Sequence, residues 1–512
     1  MDIFRDAWLP TDAGVLTPSQ ALSKATRFTW PRPDWNAASL LFLHAMVQTA
    51  VVINAKCPDR DAWRDLLRSA PADIESWFDG LDAGSKPYQY GHTDRSKCVS
   101  VAALMPENPG KNTRKKASDV LVWDHDRKLT LCEAQIAVMS GQLWGLSGGA
   151  GHYMGCRGGQ PLTVLVEPAQ NNSTLWQRVW LNVLPLDSWE RIYGKFKDGF
   201  VFPWNRAVVR PEGMSLDDND DDDDNPSTKT ANKEINEQDD VTAIIPFDPN
   251  NPVTNRISVH PLEMLWQMPR LWNIVQDSDG MVRNIEAESR GHRYFVAAWN
   301  HPLTSYRGMK DGKWSPYQAF PRVGFNDWAG IVYGFGKKSR RGIALGEYVE
   351  QDHSGRVPIR LRCFGWSVKG KSVASWVENV VPYYPNVENR IDHSSLDQAI
   401  LEIDKAKEIL AVHLGDLWQK RKSKKFLSGQ SLLLYVATEA EFYERVAENN
   451  WEGWGKTVRK AAVKILWDTA EAHGTYLTRT ASVCKTLSKK ISNAIIPKPN
   501  KPVKAGQPEM AA

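Results

Sequence analysis

Gly145-Leu146-Ser147-Gly148-Gly149 fits the G-x-S-x-G spacing of serine hydrolases. There the serine works because it sits on a strained turn between a strand and a helix. Here the residues before Ser147, LCEAQIAVMSGQLW, carry helical periodicity, and a glycine-rich stretch follows, so the context is wrong on both sides. The same stretch lacks the GxxxxGK[ST] of a phosphate loop, and Gly149 to Gly155 is one residue too long for GxGxxG. Asp124-His125-Asp126 would suit a metal-dependent phosphohydrolase only with further His and Asp ligands. The 11 histidines are scattered, and none forms HxxH or HExxH. The 6 cysteines, Cys57, Cys98, Cys132, Cys156, Cys363 and Cys484, include no C-x-x-C, which excludes the common zinc-finger spacings. Such sparse thiols suit a reducing cytosol. No catalytic residue, metal or cofactor is expected.

What remains is bare backbone and positive charge. Gly148, Gly149, Gly151, Gly155, Gly158 and Gly159 fall between Leu146 and Pro161, more glycine than a helix or strand tolerates. Ser147, Gly148, Gly149, Ala150 and Gly151 therefore present N–H groups with almost no side chains. Such a loop can lie against phosphates or a groove floor, or serve as a plain connector. Lys456, Arg459, Lys460 and Lys464 are spaced i, i+3, i+4 and i+8, which predicts one helix face. Lys420, Arg421, Lys422, Lys424 and Lys425 form a second cluster. Lys369 and Lys371 flank Gly370, before Ser372, in the hairpin-like FGWSVKGKSVASW, and Arg290 and Arg293 lead into the strand-like RYFVAAW. Any one patch is also what an ordinary solvated surface looks like. Several on different elements suit a groove that tracks phosphates.

The elements that must carry these residues follow from pattern. A chain of 512 residues exceeds the roughly 100–200 typical of one domain. Net charge is only +4, but an acidic run from Asp217 to Asp224 offsets basic clusters elsewhere. The 22 tryptophans imply large apolar surfaces, buried or at partner contacts. Ala37 to Ala55 is apolar but interrupted by His44 and Gln48, and reads as a buried helix, not a membrane span. Residues 59–80 and 131–144 also read as helical. PLTVLVEP reads as a strand and NSTLWQRVWLNVL as a helix. Residues 255–385 read as β-rich, with RYFVAAW, GIVYGF and PIRLRCFGWSV as strands. Residues 394–492 read as four helices, the first burying Leu396, Ile400, Ile403, Leu410, Leu414 and Leu417, and short connections favour an antiparallel bundle. The expected fold class is α+β. A mixed α/β domain spans 1–385 with a polar, acidic, disordered insertion at about 212–240; a four-helix bundle spans 391–495; a loose tail spans 496–512.

Taken in order, FRDAWLPT, LVWDHDRKLTLCEAQIAVMSGQLW, SGGAGHYMGCRGGQPLTVLV, LWQRVWLNVLP, LEMLWQMPRLWNIV, RCFGWSVKGKSVASWVENVVPYYP and ATEAEFYERVAE resemble the large subunit of the type I-E CRISPR Cascade complex, the CasA family. The resemblance covers nearly the whole chain. It implies a cytoplasmic, non-catalytic antiviral protein of a ribonucleoprotein complex. The guide RNA of such a complex reads the target by pairing, while protein reads a short adjacent duplex motif, the PAM. Carried over, the glycine loop Ser147 to Gly151 and a basic residue, Arg290 or its alternative Arg293, read the PAM from the minor groove. Lys369, Gly370, Lys371 and Ser372 form a wedge that splits the duplex. The bundle's basic faces contact displaced strand or nearby backbone. Lys111, Arg114, Lys115, Lys116 and Trp123 belong to a loop that docks on guide RNA and neighbouring subunits. A separate helicase–nuclease, recruited afterwards, cuts the DNA. Two departures stand out. QDSDGMVRNIEAES lacks the cysteines that some members carry there, and Lys371 stands where some have Gln.

Overall fold

The computed structural model describes residues 1–89, 97–107, 127–144, 157, 161–196, 200, 202–205, 262–267, 272–287, 301–308, 314–319, 323–334, 339–350, 357–369, 372–388, 393–417, 429–474 and 477–495. The acidic segment at 212–240, RYFVAAW and the tail lie outside them. Two compact units emerge. One comprises Met1–Val323 and Gly330–Val381, the other Gly324–Ala329 and Pro382–Ala512.

Among the described residues of the first unit the helices are α1 (Pro18–Lys24), α2 (Pro33–Ile53), α3 (Arg60–Asp65), α4 (Leu131–Trp144), α5 (Leu175–Trp180), α6 (Leu186–Tyr193), the end of α7 (Phe325–Tyr333) and α8 (Ile343–Glu350). Its strands are β1 (Leu9–Thr11), β2 (Gly14–Leu16), β3 (Lys97–Ser100), β4 (Leu129–Thr130), β5 (Thr163–Pro168), β6 (Trp272–Gln276), β7 (Met281–Ala287), β8 (Tyr306–Gly308), β9 (Trp314–Pro316), β10 (Ser339–Arg340), β11 (Ile359–Lys369) and β12 (Ser372–Pro382). They form small sheets: the β1–β2 hairpin, β10-β8-β9, β12-β11-β5, and β7 flanked by β3, β4 and β6.

α2 is the centre of this unit. It is apolar on every side and nearly all of it is buried, which marks a core helix. It is long and apolar enough to cross a membrane, yet 89% of its apolar window is buried inside the protein. Its polar residues are fasteners. His44 Nε2 bonds to the Asn182 carbonyl at 2.9 Å, Gln48 donates to the Leu184 carbonyl at 2.9 Å, and Gln48 accepts from the Leu184 N–H at 2.7 Å. A buried amide group left unpaired costs on the order of 1–3 kcal/mol, so these bonds fix how the segment after α5 lies on α2.

The tryptophans go largely to the core. Trp8, Trp35, Trp144, Trp176, Trp180, Trp189, Trp266, Trp328 and Trp454 are all under 2% exposed. Trp63, Trp77, Trp176 and Trp180 form one stack beside α2, with Trp176 and Trp180 rings 4.8 Å apart. Three of their indole N–H groups donate to backbone carbonyls: Trp63 to Val183, Trp176 to Leu66 and Trp180 to Trp63.

Two expectations need correction. GIVYGF is not a strand: residues 330–333 complete α7, and α8 is a second helix within the region read as β-rich. A short apolar run cannot distinguish a buried strand from a buried helix. The helical reading of 59–80 reduces to α3 and a single 3-10 turn, Ile74–Phe78.

The second unit holds the start of α7, the short α9 (Pro385–Glu388) and the four helices α10 (Ser394–Leu417), α11 (Leu433–Glu448), α12 (Trp454–Ala472) and α13 (Leu477–Ile495). The face expected for the first of them is buried at all six positions, from Leu396 to Leu417. α10 packs against α13 and α12, and α12 against α13 and α11. The α11–α12 turn is set by two left-handed residues, Asn449 capping one helix at φ 55° and Gly453 opening the next at φ 78°. Phe442 of α11 stacks on Phe325 at 3.8 Å, and Trp454 donates to the Ala399 carbonyl at 3.0 Å.

Candidate nucleic-acid interface

The glycine loop is bounded by two described anchors, a helix end that packs on the hairpin sheet and a strand that belongs to it. α4 ends at Trp144, one residue before Gly145. The Trp144 ring is 1% exposed and meets Trp376 of β12 edge-on at 5.0 Å and Phe364 of β11 at 6.1 Å. On the far side, β5 runs antiparallel to β11 in continuous register from Thr163↔Phe364 to Pro168↔Ile359. β11 in turn neighbours β12, and only Gly370 and Lys371 separate the two. So short a connection joins antiparallel strands only. One three-stranded sheet therefore carries the exit of the loop and the arms of the hairpin, while the entry of the loop packs on it.

Arg157 tightens this junction. It lies within the Gly-rich stretch yet is 2% exposed. Its Nη2 donates to Thr163 Oγ1 of β5 at 2.6 Å and its Nε to Thr304 Oγ1 at 3.0 Å. It lines a small internal cavity together with Leu41, His44, Leu143, Leu265, His301 and Leu303. Burial, reinforced by Arg157 and His44, pushes the His301 imidazole well below its usual range, and burial holds His44 down at about 4. Both rings are neutral near pH 7, which lets them sit beside a buried guanidinium. In the sequence Arg157 stands out only as one residue of SGGAGHYMGCRGGQPLTVLV. The signal was there: one long charged side chain among glycines has no neighbours of its own and must find them elsewhere.

The sheet and its surroundings also carry paired, largely buried charge. Arg362 pairs with Glu378 at 2.8 Å and Glu167 at 3.4 Å and lies 5.5 Å from the Phe364 ring centre. Arg32 caps the aromatic cluster, 5.9 Å from the Trp366 ring, and holds Asp34 at 3.0 Å. Burial raises the Asp34 carboxyl despite Arg32 and a bond from Ser140. These arginines are engaged in structure and are not counted among the free cations.

Of the expected site residues, Lys369 ends β11 and Ser372 opens β12. Lys456, Lys460 and Lys464 share the exposed face of α12, and Lys464 pairs with Asp468 at 2.6 Å. Arg459 is half-buried and turns aside, donating to Ser492 of α13 at 2.8 Å. Ser147 to Gly151, Arg290, Arg293, Gly370, Lys371, the cluster Lys420 to Lys425 and the loop Lys111 to Trp123 lie outside the described residues, as does Asp124-His125-Asp126. Among the described residues no group of three His, Cys, Asp or Glu is placed to hold a metal.

Mixed α+β with a helical C-terminal bundle is the fold of known CRISPR-associated proteins. Thermus thermophilus CasA (Cse1) superposes with a TM-score of 0.66 at 14% identity, covering 97% of this chain and 99% of that one. Thermobifida fusca Cse1 gives 0.64 at 15%, covering 97% and 98%. A chain of a CRISPR RNA-guided surveillance complex gives 0.63 at 15%, covering 96% and 99%. No curated protein matches the sequence. The family model of CRISPR-associated protein Cse1 matches residues 2–472, and the chain belongs to that family.

Proposed function

We propose that this chain is the large subunit of a type I-E CRISPR surveillance complex that reads the PAM in duplex DNA and starts its opening. Its partners are then the other Cascade subunits, the guide RNA, the target duplex and a separate helicase–nuclease that it recruits, in the cytoplasm. The observation that carries the reading is that the glycine loop leaves on a strand of the hairpin sheet and enters from a helix whose Trp144 packs on that same sheet. A groove reader and a wedge must act on adjacent base pairs, and a common rigid support fixes their spacing. Glycine backbone fits a minor groove too narrow for side chains, and the groove's degenerate code suits a relaxed motif. The lysine-flanked tip can part the first pair, and the bundle's basic faces can hold the displaced strand. Membership of the Cse1 family supports the placement in a complex.

The chain itself performs no chemistry in this reading. α4 runs to Trp144, so a helix enters the Gly145–Gly149 stretch where a hydrolase needs a strand. A serine-directed fluorophosphonate probe is expected to leave Ser147 unlabelled, and labelling lost in Ser147→Ala would establish a hydrolase. For the main reading, the chain is assembled with guide RNA and its co-purifying subunits. Opening is followed by 2-aminopurine fluorescence beside the PAM. Arg290→Ala and Lys371→Ala are expected to slow opening by tenfold or more without a change in melting temperature. Parent-like opening in both would refute the site assignment.

A further inference from the structure

α12 carries more than a row of charges. Lys456, Lys460, Lys464 and Trp467 follow at steps of four, four and three, so they line one face over about 16 Å of helix. All four are exposed. Trp467 is 37% exposed, and every other described tryptophan is less exposed. It makes no ring contact or hydrogen bond among the described residues, whereas indoles such as Trp176, Trp180 and Trp454 are buried and in contact with other rings.

The neighbouring helix supplies more positive charge. α13 contains Arg479, Lys485, Lys489 and Lys490 and no carboxylate, and Lys485 and Lys489 are exposed. The Arg459–Ser492 bond sets the axial register of the two helices. From there, Trp467 lies eight residues on, about 12 Å, and Lys485 lies seven back, about 10 Å. Consecutive packed helices joined by a short turn run antiparallel, so both displacements point the same way and Lys485 comes level with Trp467. From Trp454 to Trp467 α12 also has no carboxylate. Asp468 is occupied by Lys464, and Glu441 on α11 is engaged by Arg445 and Thr457.

We infer that the α12–α13 face is a single-strand site in which Trp467 stacks a nucleobase while Lys456, Lys460, Lys485 and Lys489 hold the flanking phosphates. An isolated aromatic amid unpaired lysines is the arrangement that binds single strands without reading sequence. A duplex would offer it no exposed base face. This deepens the reading of the bundle as a nucleic-acid surface and rests on it.

The test uses the full chain and fluorescein-labelled oligothymidylate, with binding followed by anisotropy at low salt. Trp467→Ala is expected to weaken binding about tenfold, and Trp467→Phe to keep most of it. Lys485→Gln with Lys489→Gln is expected to reduce the log–log salt slope by about 1.4. Parent-like affinity of Trp467→Ala overturns the proposal. So does an outcome in which Trp467→Ala leaves the oligonucleotide affinity unchanged but loses a co-purifying protein, which would make Trp467 a protein contact. PAM-dependent opening is a separate measurement on the assembled complex, so either reading can fail while the other stands.

Discussion

Replacing Arg157 with Met tests whether a buried guanidinium fastens the exit of the glycine loop. Met keeps much of the length and apolar volume but donates no hydrogen bond. Two bonds are lost, at 2.6 Å to Thr163 and 3.0 Å to Thr304. Each bond from a charged donor is worth about 1.5–3 kcal/mol, giving about 3–6 kcal/mol together. Removing a buried charge also relieves its desolvation, which offsets part of that sum. The net expectation is a loss of about 2–4 kcal/mol. In a unit of this size that lowers the melting temperature by on the order of 5 °C. Arg157→Lys is expected to fall between, because an ammonium is a point charge and cannot span both hydroxyls as the planar fork does. Calorimetry of the full chain gives the stability arm. PAM-bearing duplex binding by the assembled complex gives the functional arm, where the Met variant is expected to lose affinity while still assembling. A Met variant that melts within about 1 °C of the parent and binds duplex equally well would refute the argument that Arg157 holds this junction.

His44, neutral and buried with a pKa of about 4, makes stability fall with acidification: between pH 6.5 and 4 the unfolded chain binds a proton the folded chain refuses. The loss from this group reaches about 3 kcal/mol by pH 4, and His44→Gln is expected to make the melting profile shallower over that window, with His301 keeping its own share. Gly365 sits where an added Cβ would lie 2.8 Å from the Pro161 carbonyl oxygen and 3.1 Å from the Ala319 Cβ. Gly365→Ala is therefore expected to cost about 1–3 kcal/mol in denaturant unfolding and to weaken PAM-dependent opening, because the clash falls between the loop exit and the hairpin. An unchanged midpoint would mean that the β5–β11 junction gives way freely.

Local pattern determined a good deal. The helix at 131–144 has the bounds its periodicity indicated, and the α10 stripe is buried position by position, because side chains every three or four residues share a face whatever surrounds them. The hairpin was visible as two apolar arms around Lys369-Gly370-Lys371 for the same local reason. Ordered motifs along the chain indicated the family, and the Cse1 match bears that out. GIVYGF was not legible, because Gly330 looks like a strand or turn residue until Tyr317 is seen to pack where its Cβ would lie, with its oxygen 2.2 Å away. Gly141 inside α4 is similar: Trp272 of β6, distant in sequence, fills the space. Arg157 was visible as a residue but not as an anchor, since Thr163 and Thr304 come to it from different parts of the chain. Trp467 was one indole among many until burial separated it from the rest. Sequence by itself thus determined the elements and their apolar faces, which depend on neighbours a few residues apart. Only the tertiary structure decided which cations are already paired, which glycines are forced, and that the loop leaves on a strand of the hairpin sheet and enters from a helix packed on it, because those depend on groups the chain brings together only on folding.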